Sequence, residues 1–148
     1  MVQNSLNDGI ELSKADAVYH VMTNSSGATL GAGVVVVLDT TDSTGQSVTV
    51  PSAEGVKPFG VIVHPQGKDY TYDIGADVLV CKNGIAKTQV DGTDNIGAGT
   101  ILKIRDTAGV AYAAVPGTDS ISCCFGTALE AYTENDSLGF INVYVGEK

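Results

Sequence analysis

The sequence contains no tryptophan, only eight lysines and arginines, and no apolar run that approaches the ~20 residues of a membrane-spanning helix. Seventeen acids against those eight bases give a formal charge of −9. No segment concentrates lysine or arginine as a phosphate-binding patch requires, so we expect neither nucleic acid nor a membrane as a partner. The N-terminus lacks a basic segment followed by an apolar core, which predicts synthesis in a cytosol without a signal peptide.

Cysteine is also scarce. The three cysteines, Cys81, Cys123 and Cys124, form no Cys-x-x-Cys pair, and their odd number speaks against a disulfide framework. Adjacent residues of a strand point to opposite faces, so we interpret all three as small buried apolar residues in a reducing compartment. A reactive or metal-binding role is the less favoured alternative, because His20 and His64 lie far away in the sequence and zinc sites commonly use histidine.

One glycine-containing stretch, LGAGVVVVLDT at residues 30–40, is the sharpest candidate for a ligand site. A dinucleotide-binding loop requires a strand before Gly-x-Gly-x-x-Gly and a helix after it. Here a valine-rich strand follows the glycines, the third glycine is missing, and no Gly-Lys-Ser or Gly-Lys-Thr occurs nearby. No serine lies in a Gly-x-Ser-x-Gly nucleophile elbow. The sequence therefore predicts no cofactor, no catalytic residues and no enzymatic activity, and a small-molecule ligand is not expected.

Aspartates occur in two groups that we compare with cation sites. Asp69, Asp73 and Asp77 are four residues apart, and residues 91–94 read DGTD. Clustered oxygen ligands suit calcium, but no EF-hand spacing is present. Solvated aspartates in turns explain both groups better, so the sequence predicts no metal site.

The glycine-containing stretch is repeated later in the chain. IGAGTILKIRDT at residues 96–107 matches residues 30–40 in register, with Gly31 opposite Gly97. The same spacing carries PFGVIVHP onto CFGTALEA, and a spacing one residue shorter carries DVLV onto NVYV. Three matched blocks in one order predict an internal duplication. The repeated positions that we assign to strand starts and core packing are Gly31, Gly33, Phe59, Gly60, Gly97, Gly99, Phe125 and Gly126.

Short β-branched segments separated by turn residues predict an all-β sandwich or barrel built from two duplicated units of about 65 residues. The predicted strands are residues 34–38, 47–50, 59–63 and 78–81 in the first unit, and 100–104, 110–115, 125–129 and 140–145 in the second. Asn83-Gly84 predicts a hairpin that returns as an extra strand over residues 85–90.

The domain organisation follows from the limits of the repeat. We expect a flexible N-terminal arm and lead-in over residues 1–22, and a single β domain over residues 23–148 that holds the duplication at about 27–82 and 93–147. Helix signals are weak, and only residues 13–21 and 53–56 are expected to hold about one helical turn.

The order of these motifs resembles that of the capsid cement, or head decoration, proteins of tailed double-stranded DNA bacteriophages. Members are similar small β proteins with an Ala-Gly strand start, a strand containing Gly-Val and a closing Val-x-Val strand. The matching positions are Ala32-Gly33, Phe59-Gly60-Val61 and Val143-Tyr144-Val145, with Ala98-Gly99, Phe125-Gly126-Thr127 and Val78-Leu79-Val80 as the second set.

This resemblance implies a structural protein on the exterior of a virion, made in the host cytoplasm, which clamps the finished shell against the pressure of packaged DNA. It implies the major capsid protein as the partner and a homotrimer as the assembly. We expect the N-terminal arm to add a strand to an exposed edge of a capsid subunit through backbone hydrogen bonds. The residues that we expect at this capsid interface are Val2, Asn4, Leu6, Ile10 and Leu12.

Other functions remain as alternatives. A carbohydrate-binding or adhesion module is the first, although only Tyr70 and Tyr72 alternate on one face and no tryptophan is present. Another minor virion component is the second. A small β-barrel enzyme is the third, and it lacks an acid, base and nucleophile set.

Overall fold

The computed structural model describes residues 17–53, 56–105, 108–133 and 137–146, and within these ranges the regular structure is almost entirely β. The strands, in chain order, are β1 Val18–Asn24, β2 Leu30–Gly31, β3 Val35–Leu38, β4 Ser47–Thr49, β5 Gly60–Val63, β6 Thr71–Tyr72, β7 Asp77–Asp91, β8 Ile101–Ile104, β9 Ala111–Ala113, β10 Cys124–Ala128 and β11 Leu138–Val145. Two 3-10 turns, Gly92–Asp94 and Ile121–Cys123, complete the list. None of the helices in the described ranges is long and apolar enough to cross a membrane. The all-β prediction is confirmed.

The main sheet closes on itself twice. Its strand order is β1-β4-β3-β5-β7-β11-β10-β8-β9, and the additional pairs β1–β7 and β7–β9 complete two rings. Barrel 1 comprises β1, β4, β3, β5 and the first half of β7. Barrel 2 comprises the second half of β7 with β11, β10, β8 and β9. The two five-stranded barrels therefore share one strand, and β2 pairs with β6 in a separate small sheet.

The shared strand corrects the predicted hairpin. β7 runs without interruption from Asp77 to Asp91, through Asn83 and Gly84. Gly84 has a φ of +128 and pairs with Val145 of β11. The hairpin prediction is wrong because each half of β7 finds long-range partners, β1 and β5 for the first half and β11 for the second. These ladders outweigh the local turn preference of Asn-Gly.

The helical turn predicted over residues 13–21 is also wrong in its described part. Residues from Val18 onward form β1, which pairs antiparallel with β7 and parallel with β4. Since β1 starts before position 23, the sheet extends into the segment that the sequence assigns to the arm and lead-in. Ala53 lies in a bend, and the rest of the predicted turn at 53–56 is only partly described.

Positions that the repeat places opposite each other make the same backbone hydrogen bonds in the two barrels. The N–H of Gly33 donates to the carbonyl of Ile62 at 2.7 Å, and the N–H of Gly99 donates to that of Ala128 at 2.7 Å. Both glycines have a positive φ, +100 and +90 respectively, which glycine adopts without strain. The register of β3 on β5 and of β8 on β10 follows the same spacing. The duplication itself stays a prediction that these correspondences fit.

Gly60 and Gly126 lie where the sheet leaves no room for a side chain. A Cβ at Gly60 would lie 2.5 Å from the carbonyl oxygen of Cys81, and one at Gly126 would lie 2.5 Å from that of Tyr144. Tyr144 of barrel 2 thus takes the place that Cys81 has in barrel 1. The spacing predicted from DVLV and NVYV would instead match Cys81 with Gly146. The loop before β11 is therefore shorter than the repeat predicts. Side chains alternate between the two faces of a strand, so a shift by an even number of positions leaves each side chain on its predicted face.

Two clusters of buried side chains form the core. The first fills barrel 1 and includes Val36, Ile62 and Val80. The second fills barrel 2 and extends to the outer face of barrel 1, where Val35 and Val61 are fully buried. Neighbouring residues of a strand point to opposite faces, so one face of β3 and β5 packs inward and the other packs against barrel 2. Each such valine contributes about 1.5–3 kcal/mol when it is buried.

Candidate interaction surface

The residues that the sequence places at a capsid interface, Val2, Asn4, Leu6, Ile10 and Leu12, lie outside the described part of the chain. The repeat positions lie within it, at architectural places. Phe125 is buried in the core of barrel 2, and Phe59 packs half-buried against the core of barrel 1. A candidate functional surface must therefore be sought elsewhere in the described residues.

A groove with a volume of about 900 Å³ lies between the two barrels. Its floor is formed by the start of β8, the start of β10 and the end of β11. One wall is the loop over residues 114–123, which connects β9 to β10. The other wall comes from barrel 1, from the start of β1 and the segment before β5. The residues that define it best are Val18, Phe59, Ile101, Val115, Ile121 and Gly126.

The groove presents large apolar side chains to solvent. Val18 is 44% exposed, Ile101 45%, Val115 50% and Ile121 74%. Single exposed apolar residues are ordinary, whereas several that line one concave surface indicate a contact with another macromolecule. Val115 and Ile121 lie in a loop otherwise rich in polar residues, which is the one signal for this surface that the sequence offers.

A buried ion pair holds the 114–123 loop in place. The Nζ of Lys103 lies 2.7 Å from Oδ1 of Asp119, and the two side chains are only 8% and 10% exposed. The other carboxylate oxygen, Oδ2, accepts a hydrogen bond of 2.6 Å from the N–H of Val115. The hydrogen bond from Lys103 and the one from this N–H lower the pKa of Asp119, so the carboxylate stays ionised at neutral pH. The loop is thus anchored at the strand from which Ile101 also projects.

The end of the same loop is a short capped turn. The side-chain oxygen of Ser120 accepts a hydrogen bond from the N–H of Ser122 at 3.2 Å. The carbonyl of Ser120 accepts a hydrogen bond from the thiol of Cys123 at 3.0 Å. Burial and the neighbouring Cys123 raise the pKa of the Cys124 thiol, which lies at the edge of the groove. Both cysteines are free thiols, and the turn holds Ile121 out toward solvent.

The wall from barrel 1 adds positive charge to the groove. Lys57 and Lys82 both line it, in a chain with few bases. The Nζ of Lys82 lies 4.2 Å from the centre of the Phe59 ring, and His20 meets the same ring edge-on at 5.9 Å. A cation over an aromatic face is attracted by the ring quadrupole. The groove therefore combines apolar contact area with a basic rim.

Two of the aspartates that the sequence compares with cation sites, Asp91 and Asp94, contact other residues of the chain. Asp91 accepts a hydrogen bond of 2.8 Å from the N–H of Thr93, which caps the 3-10 turn after β7. Asp94 lies 3.5 Å from Arg105. Within the described ranges, no group of three or more histidine, cysteine, aspartate or glutamate side chains is placed to hold a metal ion.

The two tyrosines considered for glycan binding do not form a flat exposed platform. Tyr72 is buried, and its hydroxyl donates a hydrogen bond of 2.7 Å to the carbonyl of Val63. Tyr70 stacks on His64 with ring centres 3.4 Å apart and meets Tyr72 at 78°. The rings of His64, Tyr70 and Tyr72 therefore pack on one another at the surface of barrel 1.

Comparison with known proteins supports the fold. No family model matches the chain, and no curated protein matches it. Among solved structures, the fold is similar to that of the head fiber gp8.5 N base of bacteriophage phi29. The TM-score is 0.53 at 21% sequence identity, and the match covers 89% of this chain and 96% of that chain. The similarity extends over nearly the whole of both chains, so the chain shares its fold with a base of a phage head fiber.

Proposed function

We propose that the protein is a structural component of a phage virion that binds the outside of the capsid and stabilises the shell against the pressure of packaged DNA. The observation that carries the proposal is the fold, which matches a phage head fiber base over 89% of this chain. The order of the sequence motifs, which resembles that of capsid cement proteins, supports it independently.

The charge of the chain agrees with an exterior position. A protein with a formal charge of −9 is repelled by DNA in the capsid interior. We propose the major capsid protein as its partner and a homotrimer as its assembly, with synthesis in the host cytoplasm. Several modest contacts made by one oligomer increase the overall affinity by roughly 10²- to 10⁴-fold when the geometry allows simultaneous binding.

The proposal is tested on phage heads that lack the protein. Purified full-length protein is added to such heads, the bound copies are counted, and the temperature of rupture is measured with and without the protein. We expect saturable binding and a higher rupture temperature. Heads that bind no copies refute the virion role, whereas heads that bind copies and rupture at an unchanged temperature refute stabilisation and favour another attached virion component.

The capsid contact is proposed to come from the N-terminal residues. A variant with Val2, Leu6, Ile10 and Leu12 all replaced by serine removes the apolar side chains that strand addition would bury. We expect at least tenfold weaker binding to heads, with an unchanged thermal unfolding midpoint of the β domain. A control variant replaces the polar Ser5 by alanine and should bind as the parent chain does. Equal binding by both variants refutes this assignment.

A further inference from the structure

The thiols of two adjacent cysteines point to one backbone oxygen. The thiol of Cys123 donates a hydrogen bond of 3.0 Å to the carbonyl of Ser120, and the thiol of Cys124 donates one of 3.6 Å to the same oxygen. The sequence predicts opposite faces for these two side chains, because neighbouring residues of a strand alternate. Cys123 instead ends a 3-10 turn and Cys124 begins β10, so the alternation does not apply between them.

The two thiols differ in their access to solvent. Cys123 is 3% exposed, whereas Cys124 is half-buried and lines the groove. Burial, the charge of Cys123 and a hydrogen bond between the two side chains raise the pKa of the Cys124 thiol. One sulfur is therefore open to a reagent from the groove, and the other lies behind it and in contact with it.

The remaining cysteine of the chain lies apart from this pair. Cys81 is 0% exposed in the shared strand β7, where Tyr19 of β1 and Val61 of β5 pair with it. Burial raises the pKa of its thiol to about 11. The pair at the start of β10 is thus the place in this chain where two thiols lie together.

We propose that Cys123 and Cys124 form a dithiol site, which low-molecular-weight disulfides oxidise to a disulfide bond between the two adjacent residues. The thiolate of Cys124 attacks one sulfur of the small disulfide, forms a mixed disulfide and releases one small thiolate. Cys123 then loses its proton to solvent, and its sulfur attacks the Cys124 sulfur of the mixed disulfide and releases the second small thiolate. Two protein thiols and one small disulfide thus give one protein disulfide and two small thiols.

The geometry of the pair makes this oxidation reversible. The peptide bond between the two residues is trans, which places their Cα atoms about 3.8 Å apart. Most disulfides join Cα atoms about 4.4–6.8 Å apart, and departures from that range store strain that makes the bond easier to reduce. We therefore expect mild thiols to reduce this bond, as they reduce strained or exposed disulfides in general.

Oxidation would change one wall of the groove. A disulfide has no S–H group, so the carbonyl of Ser120 loses both thiol donors. The turn that presents Ile121 to the groove loses these two contacts at its end. One consequence rests on the proposed function: a virion component is reduced in the host cytoplasm and meets oxidants after release. The thiol chemistry itself does not depend on that function.

The test uses the purified full chain, reduced and then exposed to oxidised glutathione at about pH 8, close to the usual pKa of a thiol. Free thiols are then alkylated in denaturant, and the intact mass and the peptides are measured. We expect the chain to lose two hydrogen atoms, to carry one alkyl group on Cys81, and to contain a Cys123–Cys124 link. Dithiothreitol should restore all three thiols.

Three single variants assign the steps. Cys123→Ala should stop at a mixed disulfide of glutathione with Cys124, because the resolving sulfur is missing. Cys124→Ala should react roughly tenfold more slowly or less, since Cys123 is buried. The matched control Cys81→Ala should form the same disulfide as the parent chain. Circular dichroism checks that each variant is folded, and the parent chain gives its own result if one variant is not.

Phenylarsine oxide provides a second readout that needs no oxidant. Its arsenic forms one bond to each of the two sulfurs, and its oxygen leaves as water with the two thiol protons. We expect one arsenical on each parent or Cys81→Ala chain, and none that survives washing on Cys123→Ala. Equal retention by the parent chain and Cys123→Ala would contradict a site made of two thiols.

Other products overturn the proposal. A parent chain that keeps three free thiols, that stops at the mixed disulfide, or that links Cys124 to Cys81 or to another chain does not contain the proposed site. Each of these results leaves binding to phage heads to its own assay. Conversely, a chain that binds no heads can still form the Cys123–Cys124 link, so the two proposals fail separately.

Discussion

Gly60 provides the sharpest stability prediction, because the structure leaves no space for even one methyl group there. In a Gly60→Ala variant the new Cβ would lie 2.5 Å from the carbonyl oxygen of Cys81 and 2.7 Å from Cγ1 of Val80. The nearest atom is backbone of the shared strand β7, which is paired on both sides and cannot move without disturbing β1 and β5. Overpacking of this kind costs about 1–3 kcal/mol.

Gly31→Ala is the matched control for that substitution. Gly31 lies in β2, its φ is outside the left-handed region, and the nearest atoms to a Cβ are 4.0 Å away. Replacing such a glycine by alanine stabilises a protein by about 0.4–1 kcal/mol, chiefly because the unfolded chain loses freedom. The two variants should therefore differ by about 1.5–4 kcal/mol in the free energy of unfolding.

The assay is urea unfolding followed by circular dichroism, with thermal unfolding as a second measure. A difference of about 2 kcal/mol corresponds to roughly 4–8 °C in Tm for a chain of this size. Gly126→Ala should resemble Gly60→Ala, because its Cβ would lie 2.5 Å from the carbonyl oxygen of Tyr144. Ordinary surface substitutions change the free energy of unfolding by up to about 0.5 kcal/mol. If the free energies of unfolding of Gly60→Ala and Gly31→Ala agree to within that value, the close packing of Gly60 against β7 is refuted.

Three further predictions concern ionisable groups. Hydrogen bonds from Ser47 and Thr44 lower the pKa of Asp42 to about 2, so its stabilising contribution is present above the usual pKa of 3.8 and lost as pH falls toward 2. Asp42→Asn should flatten the pH dependence of unfolding in that range, and an unchanged slope contradicts this account. Asp119→Asn should release the 114–123 loop, seen as faster proteolysis there, whereas a protected loop would show that the ion pair does not anchor it. Burial raises the pKa of Cys81 to about 11, so a thiol reagent should modify Cys124 first and Cys81 only on unfolding; prompt reaction of Cys81 would contradict its burial.

The sequence predicts most of the short strands well. β3, β5, β8 and β10 start and end within one or two residues of the predicted limits, because at each of them a short run with apolar and β-branched residues lies between turn residues. The segment at Asn83-Gly84 could not be predicted in this way, since its conformation depends on partners that come from β1, β5 and β11. The local turn preference of Asn-Gly is outweighed by two long ladders.

Apart from Val115 and Ile121 in a polar loop, the candidate interaction surface was beyond prediction for a related reason. Val18 and Ile101 are widely separated in the sequence, and each has the pattern of an ordinary strand residue. Their shared exposure depends on how barrel 2 sits beside barrel 1 and on the buried contact between Lys103 and Asp119. The alternation of residues along a strand specifies which side chains share a face of the sheet. It does not specify which of the two faces another part of the chain covers.

The shared strand explains why the two barrels end with different outer faces. β7 belongs to both barrels, so no linker separates them and their relative orientation is fixed by continuous hydrogen bonding. Barrel 2 covers the outer face of barrel 1 at Val35 and Val61, whereas no third barrel among the described residues covers the equivalent face of barrel 2. The exposure of Ile85, Ile101 and Tyr144 on the outer face of barrel 2 is thus a consequence of the architecture.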